Sequence, residues 1–235
     1  MLKAALFDLD GTLLPMDQDT FARDYLGRLA ARMAPFGYDP KLLVKTIWAG
    51  TGAMVKNDGR RTNEEVFWDY FCGVFGESSR QDEPKFEEFY RTDFQKVQHS
   101  CGCNGKAAEL IRHIRSLGLR TALATNPLFP AIATYSRTRW AGLNPEDFEL
   151  ITTYENSSHC KPNPDYYRAV LAKMELKPGE CLMVGNDVGE DMIAENLGMK
   201  VFLLTDCIIN KEGTDISRYP NGSFDELAAY IHEII

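Results

Sequence analysis

The stretch Lys3-Ala4-Ala5-Leu6-Phe7-Asp8-Leu9-Asp10-Gly11-Thr12 decides the fold. It opens with the short apolar run of a buried strand, then places two carboxylates two residues apart, and a glycine stops it. A buried charge is costly unless it is paired or bound to a metal. An apolar strand that ends in two acids therefore needs a reason to keep them. Ligands of open α/β sheets bind at the carboxyl ends of the strands, so the ends of the other strands come next.

Beyond residue 100 the pattern alternates. GKAAELIRHIRSLG (105–118) reads as a helix closed by Gly118, LRTALATN as a strand, LFPAIATYSRTRW as a helix and FELITTYE as a strand. NPDYYRAVLAKMEL is a helix, CLMVGND a strand, EDMIAENLG a helix, KVFLLTD a strand and FDELAAYIHEI a closing helix. Alternating strand and helix implies a parallel sheet covered on both faces. Residues 16–100 show no period-two strand. DTFARDYLGRLAARMAPFG, DPKLLVKTIWAG, TNEEVFWDYFCGVFG and EPKFEEFYRTDFQKV read as helices, each with a Pro, a Gly or a Thr-x-x-Glu capping box at its boundary. The expected fold class is α/β: an open parallel sheet core from residues 1–15 and 101–235, with an all-α insertion at 16–100.

Bulk properties narrow the function. The 235 residues suffice for one large or two modest domains. A net charge of −8 argues against a broad nucleic-acid surface, which needs a basic stripe, but leaves room for an anionic small-molecule substrate at a locally positive site. No apolar run is long enough to span a membrane and no export-type segment precedes the first acids, so neither a nucleic-acid nor a membrane partner is expected and a cytoplasmic location is. The six cysteines form no C-x-x-C pair; the Cys101-Gly102-Cys103 pair, with His99 nearby, matches no zinc spacing, and buried free thiols are the simpler reading.

The strand ends carry the chemistry. The first ends in Asp8 and Asp10, the second in Thr125 and Asn126; the third is followed by SSHCKPNP with Lys161, and the fourth by GNDVGED with Asp187 and Asp191. Singly each is ordinary: Asp-Gly makes turns, a lysine before proline is commonly a solvated loop residue, and acids suit a helix N-terminus. In this order, each at a strand end, they form a constellation. Acids from two strand ends repel unless a cation sits between them, and carboxylates without nearby cysteine or paired histidine suit Mg²⁺. An aspartate facing a phosphoryl group beside Mg²⁺ can attack as a nucleophile, a second acid can protonate the leaving group, and Thr125, Asn126 and Lys161 can hold the phosphoryl oxygens.

These residues resemble the haloacid dehalogenase (HAD) superfamily of hydrolases. Its Asp-x-Asp-Gly-Thr motif stands as Asp8 to Thr12, its strand-ending Thr as Thr125, its lysine as Lys161 in KPNPDYY, and its acidic pair after Val-Gly in VGNDVGEDM. The resemblance spans essentially the whole chain. It implies a Rossmann-like core with an inserted α-helical cap, as in phosphoglycolate phosphatase-like members. It also implies Asp8 as nucleophile and Asp10 as general acid/base. Mg²⁺ would be held by the Asp8 carboxylate, the Asp10 backbone carbonyl and Asp187, with support from Asp191. Thr125 and Lys161 would act on the phosphoryl group, with Gly11, Thr12 and Asn126 contacting substrate. Dehalogenase members lack the second acid and phosphonate-cleaving members have Ala there, so Asp10 favours phosphate chemistry. Many relatives place the acid directly after Gly; here Asn186 stands there and Asp187 follows, leaving either able to join the metal shell.

A Mg²⁺-dependent phosphatase of a small phosphorylated metabolite is the leading expectation, as a monomer or homodimer. A phosphomutase returning the phosphoryl group to a sugar and a non-catalytic binding protein are the alternatives. In the cap, WAGTGAMVKNDGRR (48–61) reads as a Gly-rich break between helices, from which Lys56 and Arg60 are candidates to bind an anionic group; a solvated basic loop is the plainer reading. Pro15, Gly102 and Gly105 suit hinges at the cap junctions.

Overall fold

The computed structural model describes all 235 residues. Six strands, β1 (Ala4–Phe7), β2 (Arg120–Leu123), β3 (Leu150–Ile151), β4 (Cys181–Gly185), β5 (Lys200–Leu204) and β6 (Asn221–Gly222), form one sheet in the order β3-β2-β1-β4-β5-β6. Every pairing is parallel, with Phe7 opposite both Leu123 and Val184. β1 and β4 are buried along their whole length, as the central strands of a doubly covered sheet must be.

Alternation along the strands sorts the core into two layers. Ala5, Phe7, Leu123, Leu182, Val184 and Phe202 face the larger cluster, which also takes side chains from α5 (Gly105–Ser116), α6 (Ala131–Trp140) and α8 (Phe224–Ile234). Ala4, Leu6, Ala122, Met183 and Val201 face the other cluster, against α7 (Pro164–Lys173) and a 3₁₀ segment, Met192–Leu197. This is the Rossmann-like core.

Between β1 and β2 stand only helices: α1 (Gln18–Met33), α2 (Pro40–Val55), α3 (Asn63–Phe75), α4 (Glu83–Arg91) and shorter 3₁₀ segments, before α5 of the core. They form the α-helical cap. The capping box expected at Thr62 and Glu65 is present. Aromatics at helical spacing (Phe21, Tyr25, Trp68, Phe71, Phe89 and Phe94) join the same apolar cluster as Phe7 and Leu123, so cap and sheet share one core. At the junction the two crossing chains pair: Met16 bridges Cys101 antiparallel, and Gly102 N–H donates to the Pro15 carbonyl at 2.7 Å.

Three sequence expectations change. The break expected at 48–61 begins later, because α2 runs on through Gly50 and Gly52 to Val55. Gly50 is there for packing: a Cβ would lie 2.8 Å from the Phe67 ring, so the glycine lets α2 and α3 approach closely. EDMIAENLG forms a 3₁₀ segment and not an α-helix, its turn beginning just after Asp191, whose side chain is committed elsewhere. FELITTYE contributes a strand of only two residues, β3, at the sheet edge.

Candidate active site

The strand ends meet at one cavity of about 260 Å³, lined by Asp8, Asp10, Thr125, Asn126, Asn186, Asp187, Glu190 and Asp191 on its polar side. Parallel pairing produces this meeting: β1, β2 and β4 run in register, so the residues that follow them emerge on one rim. Asp8 continues β1 with its N–H on the Val184 carbonyl at 2.9 Å. The chain then turns at Gly11, whose φ of +85° suits glycine and whose missing Cβ leaves room for the Asn186 amide.

Lys161 is the electrostatic centre. It is 1% exposed, and its Nζ donates to Asp8 Oδ1 at 2.9 Å and to Asp191 Oδ1 at 2.6 Å. Burial alone would push the ammonium pKa down; Asp191 and Asp8 outweigh it, and the pKa lies well above the ordinary lysine value. The loop before Pro162 is held in place by Asn126, whose Oδ1 accepts from the Lys161 N–H at 3.2 Å and whose Nδ2 donates to Glu190 Oε2 at 3.0 Å. Asp8 Oδ2 accepts from the Thr12 hydroxyl at 3.2 Å. Thr125 lies buried at the end of β2, its carbonyl bonded by the hydroxyls of Thr152 and Tyr166.

The motif after β4 divides its work. Asn186 is committed at both ends of its amide, accepting from Thr12 at 2.9 Å and donating to the Cys207 carbonyl at 2.6 Å. Asp191 is also committed: Oδ1 takes Lys161 and Oδ2 takes the Asp187 N–H at 3.0 Å. Gly185 has no room for a side chain because the Asp191 carboxylate fills that space. Burial pushes the Asp191 carboxyl up to about 7 against the pull of Lys161. Asp187 Oδ1 accepts from the N–H groups of Gly189 and Glu190 at 2.8 and 3.0 Å, which leaves its other oxygen without a partner in the chain.

Arg137, on α6, joins the site from a position that no sequence motif marks. It is 1% exposed, forms an ion pair with Asp10 Oδ2, and lies 4.2 Å from the centroid of the Phe129 ring. Asp10 Oδ1 is buried with no partner. Burial raises the Asp10 carboxyl above its ordinary pKa, the Arg137 charge working against that. Glu190 is a second such residue; it lines the cavity, and burial raises its carboxyl too. Arg137 resembles any cation in the last turn of a helix, and Glu190 any acid in a turn, so neither carried a sequence signal.

Not every candidate reaches the cavity. Lys56 ends α2 exposed, and Arg60 has a side chain 85% exposed beside Asp58; neither lines the cavity. No group of three or more His, Cys, Asp or Glu residues is arranged to hold a metal ion. The donor chemistry nonetheless suits a hard cation. Unpartnered carboxylate oxygens remain on Asp10 and Asp187, and no thiol or imidazole lines the cavity.

A capped, all-parallel sheet with an acid-rich rim at its strand ends defines a Rossmann-like α/β protein with its site under the cap. The chain belongs to the haloacid dehalogenase-like hydrolases, whose family model matches residues 2–195. It is 26% identical over 207 residues to the putative phosphatase YhcW of Bacillus subtilis, covering 87% of this chain and 84% of that protein. It is 27% identical over 205 residues to a phosphoglycolate phosphatase of Vibrio vulnificus, with coverage of 87% and 84%. Among solved structures it resembles a 2-haloacid dehalogenase from Pseudomonas syringae pv. tomato (TM-score 0.63, 19% identity, 100% of both chains) and a HAD phosphatase from Thermococcus onnurineus (TM-score 0.59, 19% identity, 98% of both). At that identity the structures speak to the fold alone. No helix is long and apolar enough to cross a membrane.

Proposed function

We propose that the protein is a Mg²⁺-dependent phosphatase of a small phosphorylated compound, with Asp8 as nucleophile. The observation that carries this reading is the Lys161 bridge. One fully buried ammonium holds Asp8 at the cavity floor and is itself held by Asp191, so the Asp8 carboxylate is fixed where a phosphoryl group would enter. Asp8 attacks phosphorus and the ester P–O bond breaks. Asp10, whose raised carboxyl keeps a proton more readily, delivers it to the leaving oxygen. Water, activated by Asp10, then adds to phosphorus, which frees Asp8 and inorganic phosphate. Thr125 and Asn126 orient the phosphoryl oxygens. Mg²⁺ bound by Asp8, Asp187 and the Asp10 carbonyl would neutralise phosphoryl charge. Asp191 supports that shell through Lys161 and the Asp187 backbone, and Asn186 stays a structural tie.

The presence of Asp10, held by a buried arginine, favours phosphate over haloacid chemistry. The test is phosphate release from 4-nitrophenyl phosphate with and without Mg²⁺, beside the Asp8→Asn protein. Magnesium-dependent release that Asp8→Asn abolishes supports the reading. Equal release from both proteins rules it out.

A further inference from the structure

The cavity over Asp8 has two unlike ends. Its floor is the polar rim of the sheet. Its cap side carries no charged residue at all; its polar side-chain groups are the tyrosine hydroxyls, Gln18, Thr51 and the indole N–H groups of Trp48 and Trp68, the last buried without a partner. Several of these groups are already partnered: the Thr51 hydroxyl donates to the Ile47 carbonyl at 2.9 Å, and the hydroxyls of Tyr25 and Tyr90 bond each other at 2.9 Å. The one cation in the lining is Lys211, on the core side after β5. Trp48 lines the cavity and is still 56% exposed, an aromatic ring standing at the mouth of an apolar chamber.

Building on the phosphatase reading of this site, we propose that the substrate is a phosphate monoester of an apolar cyclic or aromatic alcohol. Its phosphoryl group sits on the rim, and its leaving group sits among Tyr25, Ile47, Trp48, Phe67, Trp68 and Phe129. A space of about 260 Å³ takes one ring on a short linker besides the phosphoryl group. A hexose in the same place would set most of its hydroxyls against ring faces, with only Gln18 and the Trp68 indole N–H free to meet them, each unmet hydrogen bond worth about tenfold in affinity. A second carboxylate would meet no cap cation, because Lys56 and Arg60 stand outside. The reaction balances as ester plus water giving alcohol plus inorganic phosphate, the alcohol keeping the proton that Asp10 delivers.

The test compares cyclohexylmethyl phosphate with glucose 6-phosphate. Both have a six-membered ring and a primary alkyl leaving oxygen, so they differ chiefly in polarity. The expected kcat/KM for the cyclohexylmethyl ester is higher by about 30-fold or more. Trp48→Gln, at an exposed position, should raise KM for that ester more than it lowers kcat. A binding arm uses the Asp8→Asn protein and tryptophan fluorescence: cyclohexylmethylphosphonate should bind at least about tenfold tighter than methylphosphonate. If the phosphonate shows that preference but neither ester is hydrolysed, the phosphatase reading fails and the apolar chamber stands. If glucose 6-phosphate is hydrolysed as well as or better than its apolar counterpart, and the phosphonates bind alike, the apolar substrate class is overturned and the phosphatase reading stands. Absence of both binding and turnover overturns both.

Discussion

Arg137 holds Asp10 from behind: its guanidinium, sealed under Phe129 and Phe21, pairs with Asp10 Oδ2 while the other oxygen of that carboxylate stays unpartnered. The pair joins α6 to the turn after β1, two elements separated by 127 positions. It fixes which way the second acid of the first motif points. Removing one member of a buried pair strands the other charge. Arg137→Met should therefore cost about 3 kcal/mol, and Asp10→Asn a similar amount. The double variant should cost less than their sum by more than about 1 kcal/mol. Urea denaturation of the four proteins gives the coupling directly, and strict additivity would mean the two groups do not interact.

Lys161 compensates two carboxylates at once, so its loss is not that of one surface charge. In Lys161→Met, Asp8 and Asp191 face each other with no cation between them. Phosphate release should fall by about 100-fold or more, with a lower melting temperature. Lys161→Arg should not rescue it, because Nζ already sits 2.9 and 2.6 Å from its two partners at a fully buried position, with no space for a planar fork. Activity within about threefold of the parent in either variant would remove Lys161 from the proposed machinery.

The cap is tied to the core at a third place besides its two chain junctions. Asn63, at the start of α3, is completely buried; its N–H donates to the Ser157 carbonyl at 2.8 Å and its Nδ2 to the Pro127 carbonyl at 3.1 Å. The next residue, Glu64, donates its N–H to the Tyr154 carbonyl at 2.9 Å. Asn63→Ala leaves the Asn57 amide and the Pro127 carbonyl short of a partner and should destabilise the protein by about 2 kcal/mol. Hydrogen exchange supplies the sharper readout. The Glu64 amide should be protected in the parent protein and lose protection in Asn63→Ala. Equal protection in both would mean that the Asn63 side chain does not hold the cap to the core.

The sequence made the acidic rim legible because motif chemistry and strand periodicity coincide there. KAALF is apolar after its first residue, and the acids begin where the sheet ends. The cap was legible as helices, but the end of α2 was not. Two glycines close together look like a break until Phe67, from another helix, is seen to need the space at Gly50. Long-range information of this kind also hid Arg137, whose meaning depends on a partner 127 positions away. Lys56 and Arg60 err in the opposite direction: positive charge near a cap suggests an anion site, yet their loop lies outside the cavity. The apolar chamber draws on residues scattered from Met16 to Tyr154, each ordinary in its own helix or loop.

Asp82 gives a pH signature independent of the active site. Its carboxylate accepts from Lys85 Nζ at 2.5 Å and from the Tyr38 hydroxyl at 2.8 Å, joining the segment before α4 to the loop before α2. The Lys85 bond, with help from Tyr38, holds its pKa below the ordinary carboxylate value despite partial burial. A carboxyl that binds its proton less readily folded than unfolded stabilises the fold above its unfolded pKa, and that contribution is lost as pH falls through the folded one. Asp82→Asn should thus cost about 1 kcal/mol at pH 7, a figure kept small because Lys85 is well exposed. The difference should shrink as pH falls below the ordinary carboxylate value of about 4 and vanish once the parent carboxyl is also protonated. Urea midpoints of both proteins over that fall in pH check it. A gap constant across the whole range would assign the loss to packing around the substituted side chain and not to the charge of Asp82.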